Sequence, residues 1–107
     1  MRSFLERIIQ LVDRKEIKIS EHGYDELIND DIFLRDLIES LSKARPVEFY
    51  PDYGKGPCIL LLQSDSGNRP VHSVWGIIKG TESPAVLVTA YRPDPKKWSD
   101  DFLRRNK

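Results

Sequence analysis

His22 and His72 are the two histidines of this 107-residue sequence, and histidine is the side chain best suited to exchanging a proton near neutral pH. His22 lies two residues after Ser20, a favoured helix N-cap, so we expect it in the first turn of a helix. There it can act as a general base, or it can be a partly buried histidine that hydrogen-bonds its neighbours. Gly23, which follows it, permits another segment to approach closely.

His72 lies within residues 71–78, where apolar residues occupy both alternating faces of a predicted strand. Such a strand is central in a sheet. His72 is therefore either a hydrogen-bonded core residue or, where a cleft opens at the end of the strand, a catalytic one. Two histidines without a third ligand or an HExxH pair do not predict a metal site, so we expect no metal.

A run of the sequence Tyr-Arg-Pro-Asp-Pro-Lys-Lys-Trp begins at Tyr91 and holds the densest group of recognising side chains. Arg92 can hold a phosphate through two parallel hydrogen bonds, and Lys96 and Lys97 add positive charge. Tyr91 can give up a proton or stack on a base. Trp98 can stack on a base or act as a hydrophobic latch that pins the tail to the sheet, and both roles are compatible.

Cys58 and the turn Gly54-Lys55-Gly56 carry no comparable signal. Cys58 begins an apolar run with no histidine near it in sequence, so we interpret it as a small buried hydrophobic residue. The turn lacks the length and the following helix of a phosphate-binding loop. We therefore expect no cofactor.

The composition is that of a folded, water-soluble domain, with 39% hydrophobic and 32% charged residues. The longest apolar run, residues 58–62, is far shorter than the roughly 20 residues of a membrane-spanning helix. Charged residues interrupt any signal-peptide core near the amino terminus, and a single cysteine cannot form an internal disulfide. These features predict a cytoplasmic protein that does not engage a membrane.

Charge is unevenly distributed although the formal net charge is zero. Residues 1–53 carry 8 basic and 12 acidic side chains, whereas residues 54–107 carry 9 basic and 5 acidic ones. The carboxyl-terminal half is therefore better suited to nucleic acid, although solvated charges scattered over outer faces would give the same counts.

The first half of the sequence predicts three helices. Apolar residues recur at helical spacing over residues 2–15, Ser20 caps a second helix that ends near Ile28, and a third helix covers residues 32–43. Residues 17–19 alternate apolar and polar side chains and predict a short strand between the first two helices.

From residue 46 onward, short β-rich runs alternate with turn residues, which is typical of an antiparallel meander. The predicted strands cover residues 46–50, 57–63, 71–78 and 85–91, and residues 96–105 form a short basic helix or an ordered tail. We therefore predict a single α+β domain over residues 1–107, with N-terminal helices on one face of a curved four-stranded antiparallel sheet. Residues 1–16 form an additional N-terminal helix of this domain.

Three motifs form an ordered set along the sequence, namely Ile-Ser-Glu-His at residues 19–22, Pro-Val-His-Ser-Val-Trp at residues 70–75, and the run that begins at Tyr91. With this set the sequence resembles, over residues 17–103, a family of uncharacterised bacterial domains grouped with the RelE/ParE-like toxins of type II toxin–antitoxin systems. The resemblance implies a toxin-like fold and a small antitoxin as partner, in relatives frequently a zinc-finger protein of the MqsA/YgiT kind.

In RelE-like toxins the open face of the sheet cleaves messenger RNA, usually at the ribosome, through attack by the ribose 2′-hydroxyl. The resemblance therefore implies a metal-independent endoribonuclease, which needs a base, an acid and cations for the phosphate. Its candidate catalytic residues are His22, His72, Tyr91 and Arg92, and its candidate RNA contacts are Lys96, Lys97 and Trp98. A net charge of zero differs from the strongly basic character of many such nucleases.

A second hypothesis is a non-catalytic toxin or interaction module, whose sheet face and tail bind a protein through these same residues. A third is a domain retained only for its structure. Cleavage of RNA distinguishes the first hypothesis from the other two.

Overall fold

The computed structural model describes residues 1–106. In chain order it contains helix α1 (Arg2–Asp13), strand β1 (Ile17–Ile19), helix α2 (Glu21–Asn29), helix α3 (Leu34–Ser40), a 3-10 turn (Leu41–Lys43) and strands β2 (Arg45–Tyr50), β3 (Cys58–Ser64), β4 (Pro70–Gly76) and β5 (Ala85–Tyr91). The predicted α+β class is confirmed. Within residues 1–106, no helix has the length and apolar character needed to span a membrane.

The sheet has five strands in the order β1-β5-β4-β3-β2 and is mixed. Strands β2 to β5 form the predicted antiparallel meander, but β1 pairs with the edge of β5 in parallel, with Ile17 opposite Ala85 and Ile19 opposite Leu87. The prediction of a four-stranded, wholly antiparallel sheet is therefore wrong. A three-residue strand pairs only through contacts distant in sequence, which local patterning does not report.

The helices pack on one face of the sheet and bury its apolar side chains there. The core joins residues of the helices to residues of β3, β4 and β5, among them Leu5, Ile8, Leu11, Leu27, Leu37, Ile59, Leu61, Val71, Trp75 and Leu87. Gln63 of β3 fastens α3 to the sheet, because its amide donates to the carbonyl of Leu37 at 2.6 Å while its oxygen accepts from the indole of Trp75 at 3.3 Å.

Helix α2 begins where the sequence predicts. The hydroxyl of Ser20 accepts from the backbone N–H of Gly23 at 2.9 Å and donates to the carbonyl of Val88 at 2.8 Å, so one side chain both caps the helix and ties it to β5. Gly23 allows this close approach: a Cβ at this position would lie 2.7 Å from the carbonyl oxygen of Leu87.

Helix α3 is shorter than predicted. The predicted helix over residues 32–43 is an α-helix only over Leu34–Ser40 and ends as the 3-10 turn. The preceding chain is reversed at Asp31, whose φ is 57°, and the N–H of Ile32 returns to the carbonyl of Leu27 at 2.9 Å. Residues 32 and 33 therefore belong to the α2–α3 connection.

Residues 93–106, which we call the C-terminal strap, follow β5 as an ordered tail without helix. A bridge between Trp98 and Arg105 folds the strap back on itself. Trp98 packs on His72, whose side chain lies on the sheet face opposite the helices. We call that face the open face.

Candidate functional site

The open face has two chemically different ends. Along β4, the side chains of Val71, Ser73 and Trp75 enter the core, so those of His72 and Val74 point to the open face. His72 lies near the carboxyl end of β5, opposite Tyr91, whereas the other end of β4 lies opposite Val86. At about 3.3 Å per residue, four residues of β4 separate these ends by about 13 Å.

A groove of about 900 Å³ opens at the end of the face that lies away from His72. Its apolar floor consists of sheet residues and the start of the β4–β5 connection, namely Cys58, Gly76, Ile77, Val86 and Val88. Polar residues of β1, α2 and the β2–β3 loop form its rim, namely Lys18, Ser20, Glu21, His22, Asp25, Tyr53 and Lys55. We call it the His22 groove.

His22 is exposed on this rim, in the first turn of α2. The Ser20 cap and the close contact at Gly23 hold that turn against β5. Within residues 1–106, no hydrogen bond or ion pair engages the imidazole, so both ring nitrogens can meet a ligand. A reachable histidine in a groove of this kind is suited to proton transfer.

The opposite rim comes from the β2–β3 loop, which is fixed by backbone contacts. The N–H of Gly56 donates to the carbonyl of Tyr53, and the N–H of Lys79 donates to the carbonyl of Lys55, both at 2.9 Å. Gly56 has a φ of 139°, and a Cβ there would lie 2.1 Å from the carbonyl oxygen of Ile77. Only glycine fits, so this turn sets the position of Tyr53 and Lys55 over the groove.

The groove combines a histidine with cations, carboxylates and a phenol. Lys18 and Lys55 can neutralise a phosphate, and Tyr53, which is 53% exposed, can stack on a base or donate a proton. Glu21 and Asp25 place two carboxylates on the same rim as His22. Sequence reasoning missed Tyr53 and Lys55, because residues 52–56 have the pattern of an ordinary turn, and it missed Lys18, because one lysine on a three-residue strand gives no functional signal.

The other end of the open face is closed by the strap. His72 is fully buried, its Nε2 donates to the carbonyl of Phe102 at 2.8 Å, and its Nδ1 lies 3.3 Å from the hydroxyl of Tyr91. A proton on Nε2 leaves Nδ1 as the acceptor for Tyr91 in the neutral imidazole. Trp98, 5% exposed, packs edge-on against the imidazole at 4.4 Å between ring centroids.

Burial controls the protonation of this buried pair. It lowers the pKa of His72, and the charge of Arg105 acts in the same direction, although the carbonyl of Phe102 and the carboxylate of Glu48 oppose it. Burial also raises the pKa of Tyr91. Both groups are therefore neutral at pH 7, and in the closed structure the strap shields them from a large substrate.

An ion pair anchors the far side of the strap to β2. The guanidinium of Arg105 lies 2.9 Å from Glu48 and 4.7 Å from the centre of the Trp98 ring. Tyr50 also donates to Glu48. The hydrogen bond from Arg105 lowers the pKa of Glu48, whereas burial and this carboxylate raise the pKa of Tyr50 to about 12.

Arg92 lies apart from both ends of the open face. Its guanidinium is 2.8 Å from Asp65 and donates to the carbonyl of Asp31 at 3.3 Å, and its backbone N–H donates to Asp30 at 2.9 Å. Arg92 therefore joins the α2–α3 connection to the β3–β4 turn. The bend at Pro93 does not bring its side chain to Tyr91.

The structure thus divides the predicted site residues among four places. His22 lines the groove, His72 and Tyr91 form a pair under the strap, and Arg92 binds Asp65. The predicted RNA contacts lie on the strap itself, where Lys96 and Lys97 are exposed and Trp98 is a packed latch. No described contact joins His22 to the other three candidate catalytic residues.

These observations define a small α+β domain whose open face carries the His22 groove at one end and a covered polar cluster at the other. A comparison with protein families matches residues 19–92 to a family described as a domain of unknown function (DUF4258). The match covers more than half of the chain, and the chain belongs to this family. It runs from the end of β1 to Arg92, so the strap and α1 lie outside it. Neither the curated proteins nor the solved structures gave a match.

Proposed function

We propose that this chain is a cytoplasmic, toxin-like endoribonuclease that cleaves messenger RNA without a metal, and that it does so in the His22 groove. One observation carries the proposal: an unengaged, exposed histidine stands on the rim of a groove that also bears two lysines and a tyrosine. The resemblance to RelE/ParE-like toxins supports the reaction class. Binding at the ribosome belongs to the same proposal.

The reaction needs only groups that this groove supplies. His22 takes the proton of the ribose 2′-hydroxyl, whose oxygen attacks the adjacent phosphorus. The bond from phosphorus to the 5′-oxygen breaks, and an acid protonates that oxygen, which leaves a 2′,3′-cyclic phosphate and a 5′-hydroxyl. Lys18 and Lys55 stabilise the charge on the phosphorane, and Tyr53 or a protonated group of the rim is the acid.

The dimensions of the groove suit a segment of single-stranded RNA. A volume of about 900 Å³ is at the upper end of small-ligand pockets, which span roughly 300–1,000 Å³. Its apolar floor can take a base face, and Tyr53 offers a second stacking surface. The carboxylates of Glu21 and Asp25 offset the lysines, so we expect weaker electrostatic attraction than in a strongly basic nuclease.

The other predicted catalytic residues have structural roles in the closed state. His72 and Tyr91 are covered by the strap, and the guanidinium of Arg92 is held by Asp65. The proposal therefore keeps His22 as the base and assigns the phosphate to Lys18 and Lys55.

The test is cleavage of a labelled single-stranded RNA in EDTA, free and on ribosomes, by the wild type, His22→Gln and His72→Gln. General-base catalysis typically contributes about 10²- to 10⁴-fold, so we expect a loss of that size for His22→Gln. His72→Gln is the matched histidine control, and we expect its cleavage rate per folded molecule to stay within about threefold of the wild type. Circular dichroism establishes the folded fraction. A wild type that leaves RNA intact, or a His22→Gln protein that cuts at the wild-type rate, contradicts the proposal.

A second observation favours a protein partner. Three large apolar residues of α2 and the α2–α3 connection stand in solvent, namely Tyr24, Ile28 and Phe33, which are 58%, 64% and 63% exposed. Tyr24 and Ile28 share one helix face, as residues four apart do. We propose that this surface binds a small antitoxin encoded beside this chain, such as a zinc-finger protein of the MqsA/YgiT kind.

Co-expression with the product of the adjacent gene, followed by calorimetric titration, tests the partner. We expect Ile28→Glu to weaken the complex at least about tenfold, since buried apolar anchors carry most of the energy of an interface. Ile78→Glu, at a residue 47% exposed on the groove, is the control. A complex without RNA cleavage would favour the non-catalytic interaction module, and no complex would contradict the antitoxin proposal.

A further inference from the structure

The strap is held together mainly by its own hydrogen bonds. Backbone N–H groups within it donate to carbonyls within it: Lys97 to Asp94, Ser99 to Arg104, Phe102 to Ser99 and Asn106 to Lys97, at 2.8–2.9 Å. The side chain of Asn106 donates to the carbonyls of Lys96 and Trp98 as well. A segment that satisfies its backbone internally can leave the sheet without breaking these bonds.

Among residues 1–106, two polar contacts tie the strap to the sheet, namely the hydrogen bond between His72 and the carbonyl of Phe102 and the ion pair between Arg105 and Glu48. Trp98, which is 5% exposed, packs on His72 in addition. The Arg105 side chain is 60% exposed and that of Glu48 34% exposed, so water competes for this pair.

Phe102 holds a strained backbone conformation at the point of attachment. Its φ is 60°, a region that bulky residues seldom adopt, and its carbonyl is the group that His72 binds. Lifting the strap breaks this hydrogen bond, and the strained turn is then held only from within the strap, by the N–H of Phe102 donating to the carbonyl of Ser99 at 2.8 Å.

The surface under the strap carries groups that water can solvate. The face presents the imidazole of His72, the hydroxyls of Tyr91 and Tyr50, and the carboxylate of Glu48. Hydration of such groups offsets part of the packing that is lost when the strap opens, which includes the packing of Trp98 and of Leu60, a buried residue outside the core on the helix side. The helices on the other face cover the main apolar core.

We propose that the C-terminal strap is a gate, which opens as a unit while the five-stranded sheet stays folded. Opening uncovers His72 and Tyr91 and extends the His22 groove along the open face by about 13 Å, the rise of four β residues. The extended face binds a longer RNA segment than the closed one. This last step rests on the proposed function, whereas the opening of the strap does not.

Hydrogen exchange of the wild type tests the opening by itself. We expect the amides of Ser99, Phe102 and Asn106 to exchange about 100-fold or more faster than those of Leu61 and Trp75 in the β3–β4 ladder. Once detached, the short strap has no packing to hold its internal hydrogen bonds, so these bonds open while the sheet stays folded. Equal protection in strap and ladder would mean that the strap opens only when the whole domain unfolds, and this would overturn the proposal.

Tryptophan fluorescence tests whether the ion pair between Arg105 and Glu48 holds the strap closed. Trp75 is fully buried, so quenching by acrylamide reports on Trp98. We expect Arg105→Ala to increase quenching at least about twofold, since the ion pair with Glu48 is lost. Arg104→Ala removes the same charge from a neighbouring side chain with no described side-chain contact, and we expect wild-type quenching. Equal quenching in both variants and the wild type would overturn the role of the anchor.

RNA binding tests whether opening of the strap lengthens the RNA-binding surface. Using oligonucleotides of 3 and 10 residues, we expect Arg105→Ala to bind the longer one about threefold more tightly than Arg104→Ala does, with the shorter one bound equally. If exchange and quenching show that the strap opens but the two variants bind the longer oligonucleotide equally, the strap opens without gating RNA, and that part of the proposal is overturned. If no variant binds RNA, the proposed function fails, and exchange and quenching still decide whether the strap opens.

Discussion

The two ends of the open face carry similar side chains in opposite environments. The His22 end has a histidine, lysines and a tyrosine around an open groove, whereas the His72 end has a histidine, tyrosines and a carboxylate under a folded strap. Burial lowers the pKa of His72, and the hydroxyl of Tyr91 and the carbonyl of Phe102 satisfy its two nitrogens, so this histidine has a structural role in the closed state. Solvent access, more than residue type, separates a histidine that a ligand can reach from one that is covered.

The largest effect on the free energy of unfolding is expected from an extra methyl group beside His22. Gly23→Ala places a Cβ 2.7 Å from the carbonyl oxygen of Leu87 and 3.1 Å from that of Val88, so α2 must move away from β5. Overpacking of this kind costs typically 1–3 kcal/mol, which exceeds the gain of up to about 1 kcal/mol from alanine in a helix. We expect the free energy of unfolding in urea to fall by about 2 kcal/mol, and RNA cleavage to fall with it.

Gly54→Ala is the control for this variant, because a Cβ at Gly54 meets nothing within 4 Å. Its stability should stay within about 0.5 kcal/mol of the wild type. A Gly23→Ala protein as stable as the Gly54→Ala protein would show that α2 is not tightly seated, and would weaken the comparison between the two ends.

A smaller effect on the free energy of unfolding is expected from the ion pair between Arg92 and Asp65. The side chain of Asp65 is only 4% exposed and binds both Arg92 and Arg69, whose side chains are 24% and 65% exposed. Arg92→Leu leaves a buried carboxylate with a weaker partner, which should cost about 1.5–2 kcal/mol in urea unfolding. Arg69→Leu removes the exposed partner and should cost less than about 1 kcal/mol.

The loss of stability caused by Arg92→Leu should depend on pH through the carboxyl group of Asp65. Burial raises the pKa of Asp65, but the hydrogen bonds from Arg69 and Arg92 outweigh it and hold the pKa below its ordinary value. A lowered carboxyl pKa stabilises the fold above about pH 4, and this contribution is lost as the pH falls through the folded value. The gap between the wild type and Arg92→Leu should therefore narrow below pH 4. Equal costs for Arg92→Leu and Arg69→Leu would contradict the structural role given to Arg92.

The smallest effect on stability is expected from the titration of His72. Its pKa is lowered in the folded state, so the unfolded chain binds a proton more readily, and stability should decline as the pH falls below about 6.5. His72→Gln should remove this decline, whereas His22→Gln should keep it. Urea unfolding between pH 5 and pH 8 measures both. The same decline in His72→Gln as in the wild type would assign the titration to another group.

Features fixed by neighbouring residues were predicted well from the sequence. Ser20 caps α2, strand β5 covers Ala85–Tyr91 as expected, and turn residues separate the strands of the meander. These features depend on local hydrogen bonds and on side-chain periodicity.

Features that depend on distant contacts were not predicted. The pairing of β1 with β5 joins opposite ends of the sequence, and Arg92 meets Asp65 only because the β3–β4 turn lies beside the end of β5. The candidate site follows the same division. The position of His22 in the first turn of α2 could be predicted, but the presence of Lys55 and Tyr53 across the groove depends on the sheet topology.

The parallel pairing of β1 and β5 has a consequence for the order of events during translation. The N–H of Ser20 donates to the carbonyl of Leu87 at 3.0 Å, and the N–H of Ala85 donates to the carbonyl of Glu16 at 2.9 Å, so the early segment that carries His22 is seated by the last strand to be made. Synthesis proceeds from the amino terminus. A nascent chain therefore has no complete groove until β5, whose Val86 and Val88 line it, has left the ribosome.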